Sequence, residues 1–173
     1  MSAADQITAL TRLIPDYPRP GVLYQDLTPV LADGDAFSAA IDALIAPFVG
    51  EFDVVAGVEA RGFGLAGAAA LRSGTGLLLI RKAGKLPGPN HGADYELEYG
   101  TDRLEVQAAQ VSPGTRVLIV DDVLATGGTL AAAGGLVETA GWQVTGFAVV
   151  LEIVGLRGRD RLDGRQVHSV VSR

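Results

Sequence analysis

Apolar runs rich in Val, Leu and Ile recur along the chain as DVVAGV (53–58), GLLLIRK (76–82), RVLIVDDV (116–123) and VTGFAVVLEI (144–153). Each reads as a strand buried on both faces. Between them lie alanine-rich, helix-compatible stretches at 36–48, 62–72 and 128–140, the last two following directly on glycine turns. Such alternation predicts parallel strands joined by crossover helices, hence an α/β fold with a single doubly wound, mainly parallel sheet and flanking helices.

Residues 83–109 break the pattern with Gly, Pro, Asn and His, then show a shorter alternating pair, YELEY and RLEVQ, around Gly100-Thr101-Asp102. This predicts a flexible β-hairpin inserted into the sheet domain as a lid. At the front, Pro15, Pro18, Pro20 and Gly21 predict an extended, non-helical segment with Tyr24 soon after it. Residues 1–35 are thereby set apart as an N-terminal hood.

Composition adds limits rather than elements. A chain of 173 residues, 48% apolar, is expected to be one globular domain, 1–173. It has no cysteine, so there is no disulfide framework and no thiolate metal site. The opening MSAADQITAL lacks the basic start and apolar run of a secretory signal, and the longest apolar stretches are too short to span a bilayer. A cytoplasmic address is expected. A formal net charge of −6 weighs against nucleic acid and anionic membranes as partners. Any anionic substrate must therefore be met locally. Both lysines of the chain, Lys82 and Lys85, fall in one segment beside Arg81, which points to an anion site; a solvated turn is the plainer reading.

The most informative stretch is VLIVDDVLATGGTL (117–130), an apolar strand that ends in two carboxylates and passes through Ala125-Thr126-Gly127-Gly128-Thr129 into a helix. In open α/β sheets the crevice lies at the carboxyl ends of strands, and a helix starting there aims free N–H groups and a positive dipole end at it. A phosphate fits that spot. Gly127 and Gly128 let the backbone approach phosphate oxygens, and Thr126 and Thr129 add hydroxyl donors. The pattern is neither a P-loop nor a dinucleotide fingerprint. Asp121 and Asp122 would repel the anion held there, unless they accept hydrogen bonds from the hydroxyls of a sugar that carries the phosphate. Adjacent strand residues point to opposite faces, so both reach a sugar only if the strand has ended by Asp122; otherwise one of them is structural.

VLIVDDVLATGGT resembles the phosphoribosyl pyrophosphate loop of type I phosphoribosyltransferases. GVEARGF (57–63), RKAGKLPG (81–88), YELEYGTDRLEV (95–106) and IPDYPRPGVLYQDLTPVL (14–31) are similar to segments of adenine phosphoribosyltransferases, in the same order and at the same spacings, and together they touch nearly the whole chain. The resemblance implies joining of adenine to the ribose of phosphoribosyl pyrophosphate to give AMP and pyrophosphate, with Mg²⁺ as cofactor held mainly by substrate and water, and a homodimer.

It also implies roles. Arg61, following Glu59-Ala60 after the first core strand, meets the pyrophosphate, with a strained or cis peptide turning amides toward it. Arg81, Lys82 and Lys85 supply further positive charge, in some relatives from a neighbouring subunit. Asp121, Asp122 and the turn Ala125, Thr126, Gly127, Gly128 and Thr129 hold the ribose 5-phosphate. Glu98, on the lid, is the general acid or base at the purine ring, and Tyr99 adds a contact to the pyrophosphate. Tyr24 stacks on adenine, backbone groups of Leu23 and Gln25 read its edge, and Leu124 and Ala125 line the floor; relatives often carry arginine where Gln25 stands. The lid tip, GPNHGAD, is assigned nothing, and His91 reads as a loop residue.

Two other functions stay open at this point. A phosphoribosyltransferase for xanthine or guanine would keep the phosphate sites, although it would present a lysine near the base O6, and none exists outside Lys82 and Lys85. A non-catalytic sensor of phosphoribosyl pyrophosphate would usually add a DNA-binding element, and no basic recognition helix is present.

Overall fold

The computed structural model describes residues 1–96 and 101–173. In chain order the elements are α1 (Ala3–Leu10), β1 (Arg12–Pro15), β2 (Leu23–Asp26), α2 (Thr28–Ala32), α3 (Gly34–Ile45), β3 (Val54–Val58), α4 (Gly62–Ser73) and β4 (Gly76–Lys82). They continue as β5 (Asn90–Glu96), β6 (Thr101–Gln107), β7 (Arg116–Leu124), α5 (Gly128–Thr139), β8 (Gln143–Glu152) and β9 (Val167–Ser172). Among the described residues the main sheet runs β5-β6-β4-β3-β7-β8-β9. Strands β4, β3, β7, β8 and β9 are parallel, and the β5–β6 hairpin joins antiparallel at the β4 edge. The doubly wound expectation holds.

Strand β7 shows how the sheet is buried from both sides. Leu118 and Val120 face a cluster with Leu44, Phe48 and Leu65, beneath α1, α3 and α4. Val117 and Ile119 face the other cluster, with Leu130, Leu136, Trp142 and Phe147 around α5. Alternate residues of one strand thus feed two cores.

The expectation that all four apolar runs are buried on both faces fails at β4. Leu77 and Leu79 are 43% and 37% exposed, because α4 lies over β3 and β7 and reaches β4 only at its margin. The hairpin also starts earlier than expected. β5 begins at Asn90, so the NHGAD segment is strand rather than lid tip, and His91 pairs with Val106 in the ladder. Gly92 is tolerated there because the Arg103 side chain crosses the space a Cβ would fill, on its way to Asp94 at 2.8 Å. Leu104 and Val106 are fully buried in the α5 core.

At the front, α1 went unforeseen although Ser2 and Asp5 form a reciprocal capping box, since eight residues with one buried side chain give little periodicity to read. The proline-rich stretch is extended as expected: β1 and β2 pair antiparallel, with a cis Tyr17-Pro18 bond between them. Asp26 closes that ribbon. Its carboxylate accepts from the Thr28 hydroxyl and amide, at 2.6 and 2.9 Å, and from the Arg12 guanidinium at 2.7 Å.

The Thr28 bonds, with help from Arg12, hold the Asp26 pKa at about 2. A depressed carboxylate pKa gives stability that is complete above the unfolded value of about 4 and is lost as pH falls through about 2. Asp26→Asn should therefore have a lower urea midpoint than wild type at pH 7, with the gap closing below about pH 4. A pH-independent gap would show that the carboxylate's charge is not what ties the ribbon.

Candidate active site

Three strand ends and two helix starts meet at one edge of the sheet. The register pairs Val58 with Ile80 and Gly57 with Val120, so the residues that follow β3 and β4 are brought beside the end of β7. There the chain enters α5 through Gly127, at φ +83°, and no side chain caps that helix. Its first amides are left for a ligand. Asp121 and the 123–130 segment line one cleft around them, which brings Ala125, Thr126, Gly127, Gly128 and Thr129 together as the sequence implied.

The condition for both aspartates to face a sugar is not met. β7 continues to Leu124, and Asp121, Val123 and Leu124 all remain in register with β8. Asp121 therefore lines that cleft, whereas Asp122, 7% exposed, forms an ion pair with Arg61. Asp121 accepts from the Asp122 amide at 2.9 Å. Burial first, and the neighbouring Asp122 charge second, push the Asp121 carboxyl well above the usual carboxylate range. Arriving hydroxyl donors or a cation would relieve that cost.

Arg61 stands at the start of α4, after a cis Glu59-Ala60 bond at the place where the resemblance implied one. Besides Asp122 it meets the hood: Nη1 donates to the Tyr24 hydroxyl, and the guanidinium carbon lies 5.9 Å from the Tyr24 ring centroid. Tyr24 packs edge-on against Tyr17 at 5.1 Å. On the same strand Leu23 is exposed, and the Gln25 side chain accepts from Arg173 at 3.2 Å. Leu124 is buried beneath the cleft and Ala125 lies at its side.

Glu59 is the site residue that sequence reasoning missed. Its amide donates to the Ile80 carbonyl at 2.9 Å, which sets its carboxylate against the next residues of β4. It forms an ion pair with Lys85, accepts from the Lys82 amide at 3.0 Å and lies 3.5 Å from Arg81 Nε. The Lys85 contact holds its pKa below the usual glutamate value, against the pull of burial. Its position at the end of β3, in the same motif as Arg61, was the available signal. Lys82 itself reaches Asp102 of the hairpin at 3.0 Å, and Tyr95 donates to the same carboxylate at 3.2 Å. Each cation assigned to the pyrophosphate is thus held by a carboxylate. Glu98 and Tyr99 lie outside the described residues.

A cleft at a helix start, a carboxylate within it and restrained cations beside it make an α/β protein whose site suits a sugar phosphate. Comparison with known proteins agrees: the phosphoribosyl transferase domain matches residues 28–170. The adenine phosphoribosyltransferase of Renibacterium salmoninarum is 55% identical over 98% of this chain and 93% of its own length. The crystal structure of the enzyme from Rhodothermus marinus has a TM-score of 0.93 at 44% identity, covering 99% of this chain and 98% of that one. The Saccharomyces cerevisiae enzyme, complexed with an imino-altritol bisphosphate and adenine, has a TM-score of 0.92 at 37% identity, covering 97% and 98%. The chain belongs to the phosphoribosyltransferase family, and within it to the adenine phosphoribosyltransferases.

Removing Arg61 would leave Asp122 buried beside a second carboxylate. Arg61→Ala should destabilise the fold by about 1–3 kcal/mol, a figure kept below that of a fully buried pair because the guanidinium is partly exposed. Adding Asp122→Asn should recover part of the loss in urea denaturation at pH 7. A double variant no more stable than Arg61→Ala would rule out the ion pair as the cause.

Proposed function

We propose that this chain transfers the 5-phosphoribosyl group from phosphoribosyl pyrophosphate to adenine, giving AMP and pyrophosphate in purine salvage. The observation that carries the reading is the cleft at the end of β7, where uncapped α5 amides and the Asp121 carboxylate face one space while Arg61 links it to Tyr24. The Ala125–Thr129 turn binds the 5-phosphate, and Asp121 accepts from ribose hydroxyls. Asp122 acts through Arg61 by holding its guanidinium at the pyrophosphate. Arg81, Lys82 and Lys85 complete that end of the substrate, exchanging part of their contact with Glu59 and Asp102 for phosphate oxygens. Adenine is read by the hood, residues 1–35, through Tyr24 and the backbone of Leu23 and Gln25, over Leu124 and Ala125. Arg61 must leave the Tyr24 hydroxyl, or share it, as the base enters.

The transition state spreads positive charge over ribose C1 and the ring oxygen. By family resemblance Glu98 handles the proton on the base, a task that contributes about 10²–10⁴-fold, and Tyr99 contacts the pyrophosphate. Mg²⁺ fits this site because Asp121 at the cleft would offer a hard oxygen to an ion held mainly by substrate and water. When bound it neutralises charge on the leaving pyrophosphate.

Among the described residues no helix is long and apolar enough to cross a membrane. A cytoplasmic enzyme, without nucleic-acid partners, suits the charge and the absence of cysteine. A homodimer is supported by the strip of Leu77, Leu79 and Leu71 left uncovered on β4 and α4. Arg81 follows on the same face of β4 by strand alternation, so a partner covering the leucines would come next to the pyrophosphate cations.

Purified protein with Mg²⁺, phosphoribosyl pyrophosphate and each purine in turn should form AMP from adenine, and little or no product from hypoxanthine, guanine or xanthine. Failure with adenine sinks the reading; success with another base alone moves it to that base. Glu98→Gln should lower kcat about 10²-fold or more with a smaller effect on KM, and wild-type turnover would remove Glu98 from proton transfer. Leu79→Glu should convert a dimer to monomer in analytical ultracentrifugation; an unchanged dimer would place the interface elsewhere.

A further inference from the structure

The phosphate-binding turn is shaped from behind by the segment that follows β8. After β8 the chain makes a short helical turn, Gly158–Arg161, that packs against the beginning of α5. A Cβ on Gly158 would sit 2.3 Å from the Ala125 carbonyl oxygen, 2.7 Å from Leu124 Cδ1 and 3.1 Å from the Gly127 amide. Reciprocally, a Cβ on Gly127 would sit 2.3 Å from the Gly158 carbonyl oxygen. Two backbones are in contact here with no side chain between them. Gly158 has no left-handed φ, so the exclusion is by contact alone.

What holds the turn in place is a buried charge. Glu152, the last residue of β8, is 5% exposed and pairs in register with Leu124 at the end of β7. Its carboxylate receives both arms of the Arg159 fork at 2.7 Å, together with the Ser169 hydroxyl at 2.6 Å and the Ser172 hydroxyl at 3.4 Å. Arg159 also donates to the Val167 carbonyl at 2.9 Å and to Ser169 Oγ at 2.9 Å. On the other side of the turn Leu162 is fully buried in the cluster that contains Leu124 and Leu130. A planar fork bonded on both arms fixes direction as well as distance. The residue next to Gly158 is therefore pinned to β8 and β9, and β8 pairs with the strand that leads into the phosphate turn.

We infer that Gly158 is a positioning residue for substrate binding: it forms the back wall of the phosphate turn, and the Arg159–Glu152 pair keeps that wall pressed against Ala125–Gly127. It touches no substrate. Its action is to set where the amides of the turn point, which deepens the proposed function and rests on that reading of the cleft.

The test measures sugar phosphate and base separately. Gly158→Ala should raise KM for phosphoribosyl pyrophosphate about tenfold to a hundredfold, the range for misplacing binding groups by about an ångström. The calorimetric Kd of ribose 5-phosphate should rise in parallel, while KM for adenine stays within about twofold. Arg159→Met should move the same two constants in the same direction, and Arg159→Lys, which keeps the charge without the fork, should lie between it and wild type. Since neither Arg159 variant introduces a clash, they carry the test if Gly158→Ala does not fold. Variants that bind ribose 5-phosphate as wild type does would overturn the inference and leave the function standing, as would equal changes for both substrates. Wild-type protein that fails to bind ribose 5-phosphate would instead overturn the reading of the cleft itself.

Discussion

Two carboxylates buried side by side at the end of a parallel strand are the constraint to which the rest of the site answers. Asp121 and Asp122 lie where bulk water screens little, and burial, then the neighbouring Asp122 charge, raises the cost of ionising Asp121. The fold compensates at Asp122 with Arg61, brought there because α4 begins where β3 ends, next to β7. Among the described residues Asp121 makes no such ion pair, although the Arg61 charge offsets a little of its cost. Its carboxyl is kept at the cleft at a cost that, on the proposed reading, the hydroxyls of a sugar phosphate would relieve. The neighbouring cations follow the same economy: Glu59 and Asp102 hold Lys85, Arg81 and Lys82 in place before any substrate arrives. Lysines so restrained lose less side-chain entropy on binding than free ones.

Legibility in the sequence depended on whether a feature is local. The strand–turn–helix from β7 into α5 could be read outright, because strand, glycines, threonines and helix are contiguous between 117 and 130 and need no distant partner. Arg61 and the lysine segment were visible as charge in odd places. Glu59 as the shared counter-ion of Arg81 and Lys85 was not, since it requires the β3–β4 register that puts residue 59 beside residues 81 and 82. Gly158 was equally hidden, being in ordinary backbone conformation and far along the chain from Gly127. The half-open face of β4 escaped for the opposite reason. GLLLIRK looks like any buried strand, and only the lateral position of α4 decides that Leu77 and Leu79 stay uncovered.

The hood obeys different rules from the sheet. The phosphoribosyl transferase domain match starts at residue 28, so the strand proposed to read the base, β2, falls outside it. That division makes physical sense, because phosphate and ribose are common to many reactions whereas the base is what distinguishes them. Fixing β2 then requires ties of its own. Asp26 provides one through Arg12 and Thr28, and Arg173 provides the other, bonding the Gln25 side chain and the Thr8 carbonyl at 3.2 and 3.3 Å while its backbone extends the β8–β9 edge. The Gln25 side chain is thus occupied in anchoring.

A hairpin expected to be a lid also turns out to be part of the core. Leu104 and Val106 are buried against the same cluster as Leu130 and Ala133 of α5. Uncovering two such side chains costs about 3–6 kcal/mol, so the hairpin swinging open as one rigid unit would be populated on the order of once in 10²–10⁴ molecules. Lys82, Asp102 and Tyr95 add a polar tie at the same base. Closure over a substrate must therefore leave residues 101–107 where they are. That anchored strand packs on the helix that begins at the end of the turn after β7, so the hairpin base and the start of α5 share one core.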